Sequence, residues 1–335
     1  MNFYLIFNIH KGELKMEQLH VGNTSQLFDV KQYRLVGGKA DGVRAIDVWN
    51  GGDLSFTLIA DRALDLFTVR YCGHNLSFLS PTGVVDPAYY DDQNIGWLNS
   101  FGGGFLCTCG LQNIGSPDAD HGLHGRISNT PAENVCVELA DDGCSVKISG
   151  IMREARLFGT KLQLKREIYC EKGSDVIRFT DTVTNLGFNR ERISMLYHFN
   201  MGYPLVSESA KPYIPAIKSV PRNEHAATEP DWSVVHAPTA GFEEMCWYHF
   251  LSEKVLGIDN PAIDTSMRIK FDSPILDRAL QWRMFGQGDY VMGLEPASSS
   301  IDGIDDAIAN GSMKYIEPRS SIVNKFEISF KHLSK

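Results

Sequence analysis

The sequence predicts an all-β protein of sandwich or barrel architecture. Three observations support this: hydrophobic residues alternate with period two in many short segments, Gly, Pro, Asn and Asp punctuate the gaps between them, and sustained helical periodicity is scarce.

The clearest strand lies at 161–168. Leu162, Leu164 and Ile168 fall on one parity, and Lys161, Gln163, Lys165 and Glu167 on the other. Arg166 shares the apolar parity, so it needs a partner or a place near a strand end. The turn-rich EKGSD break at 171–175 leads into a second strand at 176–184, where Ile177, Phe179 and Val183 alternate with Arg178, Thr180 and Thr182. The two read as a hairpin. Segments 56–60, 65–71 and 144–151 behave similarly, and 305–309 suits a short helix before Gly311. Neither a low-complexity linker nor a fixed-period repeat is evident. The simplest organisation is one domain over 17–335, preceded by an extension at 1–16 or by an added edge strand.

Composition narrows the function classes. The 335 residues are 43% hydrophobic and 22% charged, ordinary for a globular protein with a large core. The net charge of −9 disfavours nucleic acid as a partner. No apolar run approaches the roughly 18 residues of a membrane span. The opening MNFYLIFNIH lacks the basic flank and small-residue cleavage site of a secretion signal. Seven cysteines without a C-x-x-C fit reduced thiols and a cytoplasmic location. Cys107 and Cys109 would share one face of a strand as small buried residues.

Three segments carry polar residues that core packing alone does not explain. In LHGRISN at 123–129, His124 and Arg126 flank Gly125, which permits close backbone approach. His121 completes an H-x-x-H spacing, but Gly122 and Gly125 argue for a loop, and no further ligand cluster supports a metal. In MLYHFNMGYPL at 195–205, a strand would place His198 on one face with Leu196 and Asn200, and Tyr197 and Phe199 on the other. In VMGLEPASSSIDG at 291–303, Glu295 follows an apolar run, and Pro296 is expected to end regular pairing. Such a carboxylate is costly to bury unless paired or raised in pKa, which suits a general base. Each residue alone also fits a structural role.

Together, in this order along the chain, the segments resemble the galactose mutarotase-like (aldose 1-epimerase) superfamily, from about residue 25 onward. The stretches ADRALDLF, LSFLSPTG, FGGGFLCTCGLQNIGSP, LHGRISN, LYHFNMGYP and GLEPASSSIDG look closest to a domain-of-unknown-function branch of it. The resemblance implies a β-supersandwich that binds a small-molecule sugar and exchanges its anomers without metal or cofactor. It implies that His124 contacts the sugar, that His198 is the general acid toward the ring oxygen, and that Glu295 is the general base toward the anomeric hydroxyl, with the acid and base on opposite sides of the ring. A non-catalytic carbohydrate-binding protein, or another sugar-active enzyme such as a lyase, hydrolase or epimerase, remains open on the same scaffold.

The sequence departs from the superfamily in two ways. The substrate-binding aspartate expected between His198 and Glu295 is not evident, with Asp259 and Asp264 as candidates. Arg126 stands where many mutarotases have a small residue, and Arg62 is a second arginine beside an apolar strand. Arg62 reads most simply as an ion-pair partner of Asp61 or Asp65. If both arginines reach the cleft, an acidic or phosphorylated sugar fits. Trp97 and Trp282 are candidates for a stacking face, and Asn200 for a polar contact to the sugar. Oligomeric state is not legible.

Overall fold

The computed structural model describes residues 20–334, so the expected extension at 1–16 lies outside the described residues. Twenty strands, numbered in chain order, form three antiparallel sheets. The first is a meander of β1 (Asp29–Arg34), β2 (Arg44–Trp49), β3 (Leu54–Ile59), β4 (Asp65–Tyr71) and β5 (His74–Asn75). The second contains β7 (Glu133–Leu139), β8 (Ser145–Ala155), β9 (Lys161–Glu171), β10 (Val176–Asn185), β12 (Lys211–Tyr213), β15 (Val255–Asn260), β16 (Thr265–Asp272) and β20 (Ser321–His332), in the order β12-β15-β16-β20-β10-β9-β8-β7.

The third runs β13 (Ala216–Pro221), β14 (Met245–Leu251), β17 (Arg278–Phe285), β18 (Tyr290–Ala297), β11 (Glu191–Met201) and β19 (Lys314–Ile316). There, β6 (Leu106–Leu111) also pairs with β11. The expected short helix is α1 (Ile304–Ala309). Among the described residues no helix is long and apolar enough to cross a membrane.

The period-two segments become strands because each buries one parity. Along β9 every even residue from Leu162 to Cys170 is buried, and β9 pairs with β10 in the expected hairpin, Leu164 opposite Val183. Pairing in β18 continues past the expected break, with Pro296 opposite Ala279 and Ala297 opposite Arg278. A proline lacks only its own N–H, so it can sit where the ladder does not call on that donor.

β11 is buried on both faces. Met195, Tyr197, Phe199 and Met201 enter the main core, where Phe179 and Phe326 stack 4.5 Å apart. Leu196 turns the other way, into a smaller cluster with Trp97, Phe101, Cys107, Cys109 and Leu280. Loops around 76–103 and 112–130 supply much of that second layer, and His198 faces it.

The buried Arg166 holds the three sheets together. Its guanidinium grips both oxygens of Asp181 in β10 at 2.8 and 2.6 Å, pairs with Asp65 at the start of β4, and donates to Thr108 of β6 at 2.8 Å. Tyr197 of β11 donates to Asp181 at 2.9 Å and accepts from Asn324 of β20 at 3.1 Å. The arginine on the apolar parity therefore has carboxylate partners on two sheets. Removing it leaves two carboxylates in the core without their cation, a change that typically costs about 3–5 kcal/mol. Arg166→Ala should lower the urea unfolding free energy by that order, and a loss under about 1 kcal/mol would contradict this role.

Candidate acid–base site

His198 and Glu295 meet on the outer face of the third sheet. β11 and β18 are hydrogen-bonded neighbours, and Glu295 lies opposite Leu280 of β17. His198 Nδ1 lies 3.3 Å from Glu295 Oε1, and both residues are at most 5% exposed. The atoms are close but not aligned for a hydrogen bond, and neither has a hydrogen-bond partner among the described residues. Gly293 makes room for the carboxylate, since a Cβ there would sit 2.1 Å from Glu295 Oε1. The pair stands side by side, whereas the resemblance implied groups on opposite sides of a ring.

Burial sets the charge states. It pushes the Glu295 carboxyl well above its ordinary value, helped by the negative charge of Glu244 and by Cys107. It pulls the His198 imidazole well below its ordinary value, helped by His124 and opposed by the Asn200 side chain. Desolvation thus drives both toward their neutral forms, carboxylic acid and imidazole.

His124 completes the cluster from a loop. Its ring lies edge-on to Trp97 at 4.6 Å and to His198 at 5.6 Å. The left-handed backbone at His124 and Gly125 folds the loop against β6. A Cβ at Gly125 would meet the Gly110 carbonyl oxygen at 2.4 Å. His124 Nδ1 lies 2.7 Å from the Ile114 carbonyl, which can only accept, so Nδ1 carries the proton. Burial lowers this imidazole to about 4, leaving Nε2 as a neutral acceptor.

The other expected residues scatter. Trp282 is half-buried beside the pair, edge-on to His198 at 5.3 Å, and donates to Glu244 at 2.8 Å. Asn200 is fully buried, and its Nδ2 donates to the carbonyls of Gly104 and His198, so it braces the strand. Trp97 is buried, stacked on Phe101 at 4.5 Å and bonded to Ser128, so its ring supports His124 and presents no open stacking face.

Arg62 pairs with neither expected aspartate. Asp61 holds Arg44 and Asp65 holds Arg166, while Arg62 donates to the carbonyls of Ser128, Val85 and Ser100 and ties three loops together. Arg126 turns away from the pair, toward Asp92 at 3.1 Å and the Asp120 carbonyl at 2.5 Å.

Neither candidate aspartate reaches the pair. Asp259 is bound by Arg268, and Asp264 by His332 and Ser334, all on the second sheet or the chain end beyond it. The acidic residue from that interval that does approach is Glu244, just ahead of β14. No pattern in GFEEMCW separates it from Glu243. Sequence reasoning also missed Phe101, whose ring lies 5.7 Å from His198.

His121 bonds Asp118 and Gln112 while His124 faces the pair, so the H-x-x-H histidines engage different partners. Among the described residues, Asp53, Cys72 and His332 form a group that could hold a metal ion, on elements that do not carry the pair.

Comparisons with known proteins agree with the fold. Residues 40–330 match the family model "Domain of unknown function (DUF4432)". No curated protein matches. Among solved structures, a Klebsiella pneumoniae protein provisionally described as an aldose 1-epimerase is 27% identical. It superposes with a TM-score of 0.87, over 94% of this chain and 86% of that one. A galactose mutarotase-like protein from Clostridium acetobutylicum (12% identical, TM-score 0.66, 92% and 100% covered) and galactose 1-epimerase from Lactobacillus acidophilus (11%, 0.61, 91% and 99%) share the fold.

The buried imidazoles make acid stability a direct test. Unfolded, the His124 side chain takes a proton at its ordinary 6.5; folded, it resists until about 4. Between these values the unfolded state binds more protons, so this residue's effect is to lower stability as pH falls from about 6.5 to 4. Urea titrations across that range should show a shallower decline for His124→Asn than for the unmodified chain. Equal slopes would mean that His124 is not buried in its neutral form.

Proposed function

The chain belongs to the DUF4432 family, and from that premise we propose that it is a sugar-binding isomerase of the aldose 1-epimerase type, with His198 and Glu295 as its acid–base pair. The observation that carries this reading is the facing of two buried, unpartnered proton-exchanging atoms, His198 Nδ1 and Glu295 Oε1. A structural pair would be expected to satisfy them. Similarity to the aldose 1-epimerase-type structures supports the same reaction class.

The proton inventory closes. The neutral pair and the carboxylate–imidazolium pair hold the same number of protons. In the charged form Glu295 takes the proton from the anomeric hydroxyl, and His198 gives one to the ring oxygen. The C1–O5 bond breaks, the aldehyde forms, and the pair is left neutral. Rotation about C1–C2 and closure on the other face reverse each transfer and restore the charged form. His124 Nε2 accepts from a sugar hydroxyl, Trp282 covers the ring, and Glu244 bonds a further hydroxyl. The reaction needs neither metal nor cofactor, and the free cysteines suit a reducing, cytoplasmic setting.

The near-complete enclosure of both side chains favours a second reading, a carbohydrate-binding protein without turnover. NMR exchange measurements of anomer interconversion across a sugar panel separate the two. The isomerase should accelerate exchange for at least one sugar. Glu295→Gln should then cut the rate by 10²-fold or more while sugar binding persists. Binding without acceleration in the unmodified chain would leave the second reading.

Gly293→Ala tests the geometry independently. Its Cβ must displace the Glu295 carboxylate, so turnover should fall at least tenfold with the fold retained by circular dichroism. Unchanged turnover would remove the Nδ1–Oε1 contact from the mechanism.

A further inference from the structure

A concavity of about 520 Å³ opens near the start of β11, where Arg192 lies. Arg192 lies six residue steps along the strand from His198, roughly 20 Å at ~3.3 Å per residue. Arg126, Arg153, Arg156 and Arg192 line it, together with Glu154 and Gln112. Gln112 braces the wall, donating to Thr160 at 2.6 Å with its carbonyl oxygen 3.3 Å from His121 Nε2.

The charges are only partly compensated. Arg126 holds Asp92, Arg153 holds Glu133, and Arg156 reaches Asp120 only at 3.5 Å with both side chains largely exposed. Among the described residues the Arg192 guanidinium has no hydrogen-bond or ion-pair partner. Glu154 is 8% exposed; its Oε2 accepts from the Leu111 N–H at 2.7 Å, and its Oε1 has no partner. A buried carboxyl oxygen left this way is costly in a purely structural wall.

We propose that this cavity binds a small hydroxylated anion, a sugar acid or sugar phosphate, with Arg192, Arg156 and Arg126 on the anionic group and Glu154 on a hydroxyl. Guanidinium forks match carboxylate and phosphate oxygens, and a neutral sugar would leave the Arg192 charge unanswered. A bare anion would leave Glu154 Oε1 unanswered. A hydroxyl satisfies that oxygen in either protonation state, because it both donates and accepts. Burial raises the Glu154 carboxyl above its ordinary value, easing the approach of an anion. The volume suits a ligand of monosaccharide size. This site stands apart from the acid–base pair and does not depend on the reaction proposed there.

Calorimetry at low salt with glucuronate, glucose 6-phosphate, glucose and inorganic phosphate tests the assignment. One or both sugar anions should bind tighter than glucose and tighter than inorganic phosphate, and their ranking tells carboxylate from phosphate. Arg192→Ala should weaken that binding about tenfold or more, as loss of a charge-assisted hydrogen bond does. The exposed Arg156→Ala, a variant with little risk to folding, should weaken it in the same direction. Glu295→Gln should leave it within about twofold. The assignment fails if neither sugar anion binds, if glucose or inorganic phosphate binds as tightly and loses that binding in Arg192→Ala, or if both arginine variants bind normally. Loss of anion binding in Glu295→Gln would also overturn it, by placing the anion at the acid–base pair.

Discussion

The arrangement depends on one buried cation. Arg166 has an exposure of 1% and binds two carboxylates from different sheets. Its desolvation is tolerable because the fork is fully used: both Asp181 oxygens, Asp65 and Thr108 accept from it. Thr108 in turn donates to Asp65 through both its hydroxyl and its backbone N–H. These bonds cross from β9 to β10, β4 and β6, and Asp181 extends them through Tyr197 to β11. A buried network of this kind tolerates few alternative registers, since a slip of one residue would strand a charge in the core.

That constraint reaches His198 and Glu295 through a single peptide unit. Tyr197 and His198 are consecutive on β11, so they face opposite sides of the sheet. Anchoring the Tyr197 hydroxyl between Asp181 and Asn324 fixes the strand's rotation and aims His198 outward at Glu295. The two faces are treated differently. The polar groups of the Arg166 network are satisfied, whereas His198 Nδ1, Glu295 Oε1 and Asn200 Oδ1 on the outer face are not. Unmet hydrogen-bonding capacity costs stability; among the described residues it falls at these three atoms and at Glu154 Oε1, Trp247 Nε1 and two guanidinium nitrogens of Arg283.

Period two made the strands legible because it is a local property: 161–168 and 176–184 became β9 and β10, and 65–71 became β4. The same alternation flagged Arg166 as needing a partner, though not which one. Which charges meet is a long-range matter, and there local reading failed. Arg62 was assigned to aspartates one and three residues away, yet Arg44 and Arg166 take those and Arg62 serves loop carbonyls. Asp259 and Asp264 lie in the right interval of the chain, but Asp259 is on another sheet and Asp264 in the turn between two of its strands. Glu244 lies just ahead of β14, and the β14-β17-β18 pairing brings it near Glu295. Trp97 shows the same limit, since nothing in NIGWLNSF indicates that Phe101 covers its ring.

The loop at 112–126 shows how a short motif can serve two places. Around Gly125 the backbone is left-handed and pressed against β6, so His124 and Arg126 leave it in different directions. His124 goes to the aromatic cluster at His198, where burial strips it of charge and makes it an acceptor. Arg126 goes to Asp92 and the Asp120 carbonyl at a half-exposed wall. In sequence the two look like one polar cluster aimed at one cleft. The turn that separates them requires a glycine, because any Cβ at 125 would collide with the carbonyls of Asn113 and Gly110. The motif therefore encodes a parting of two side chains, and the chemistry at each end follows from the burial each one meets.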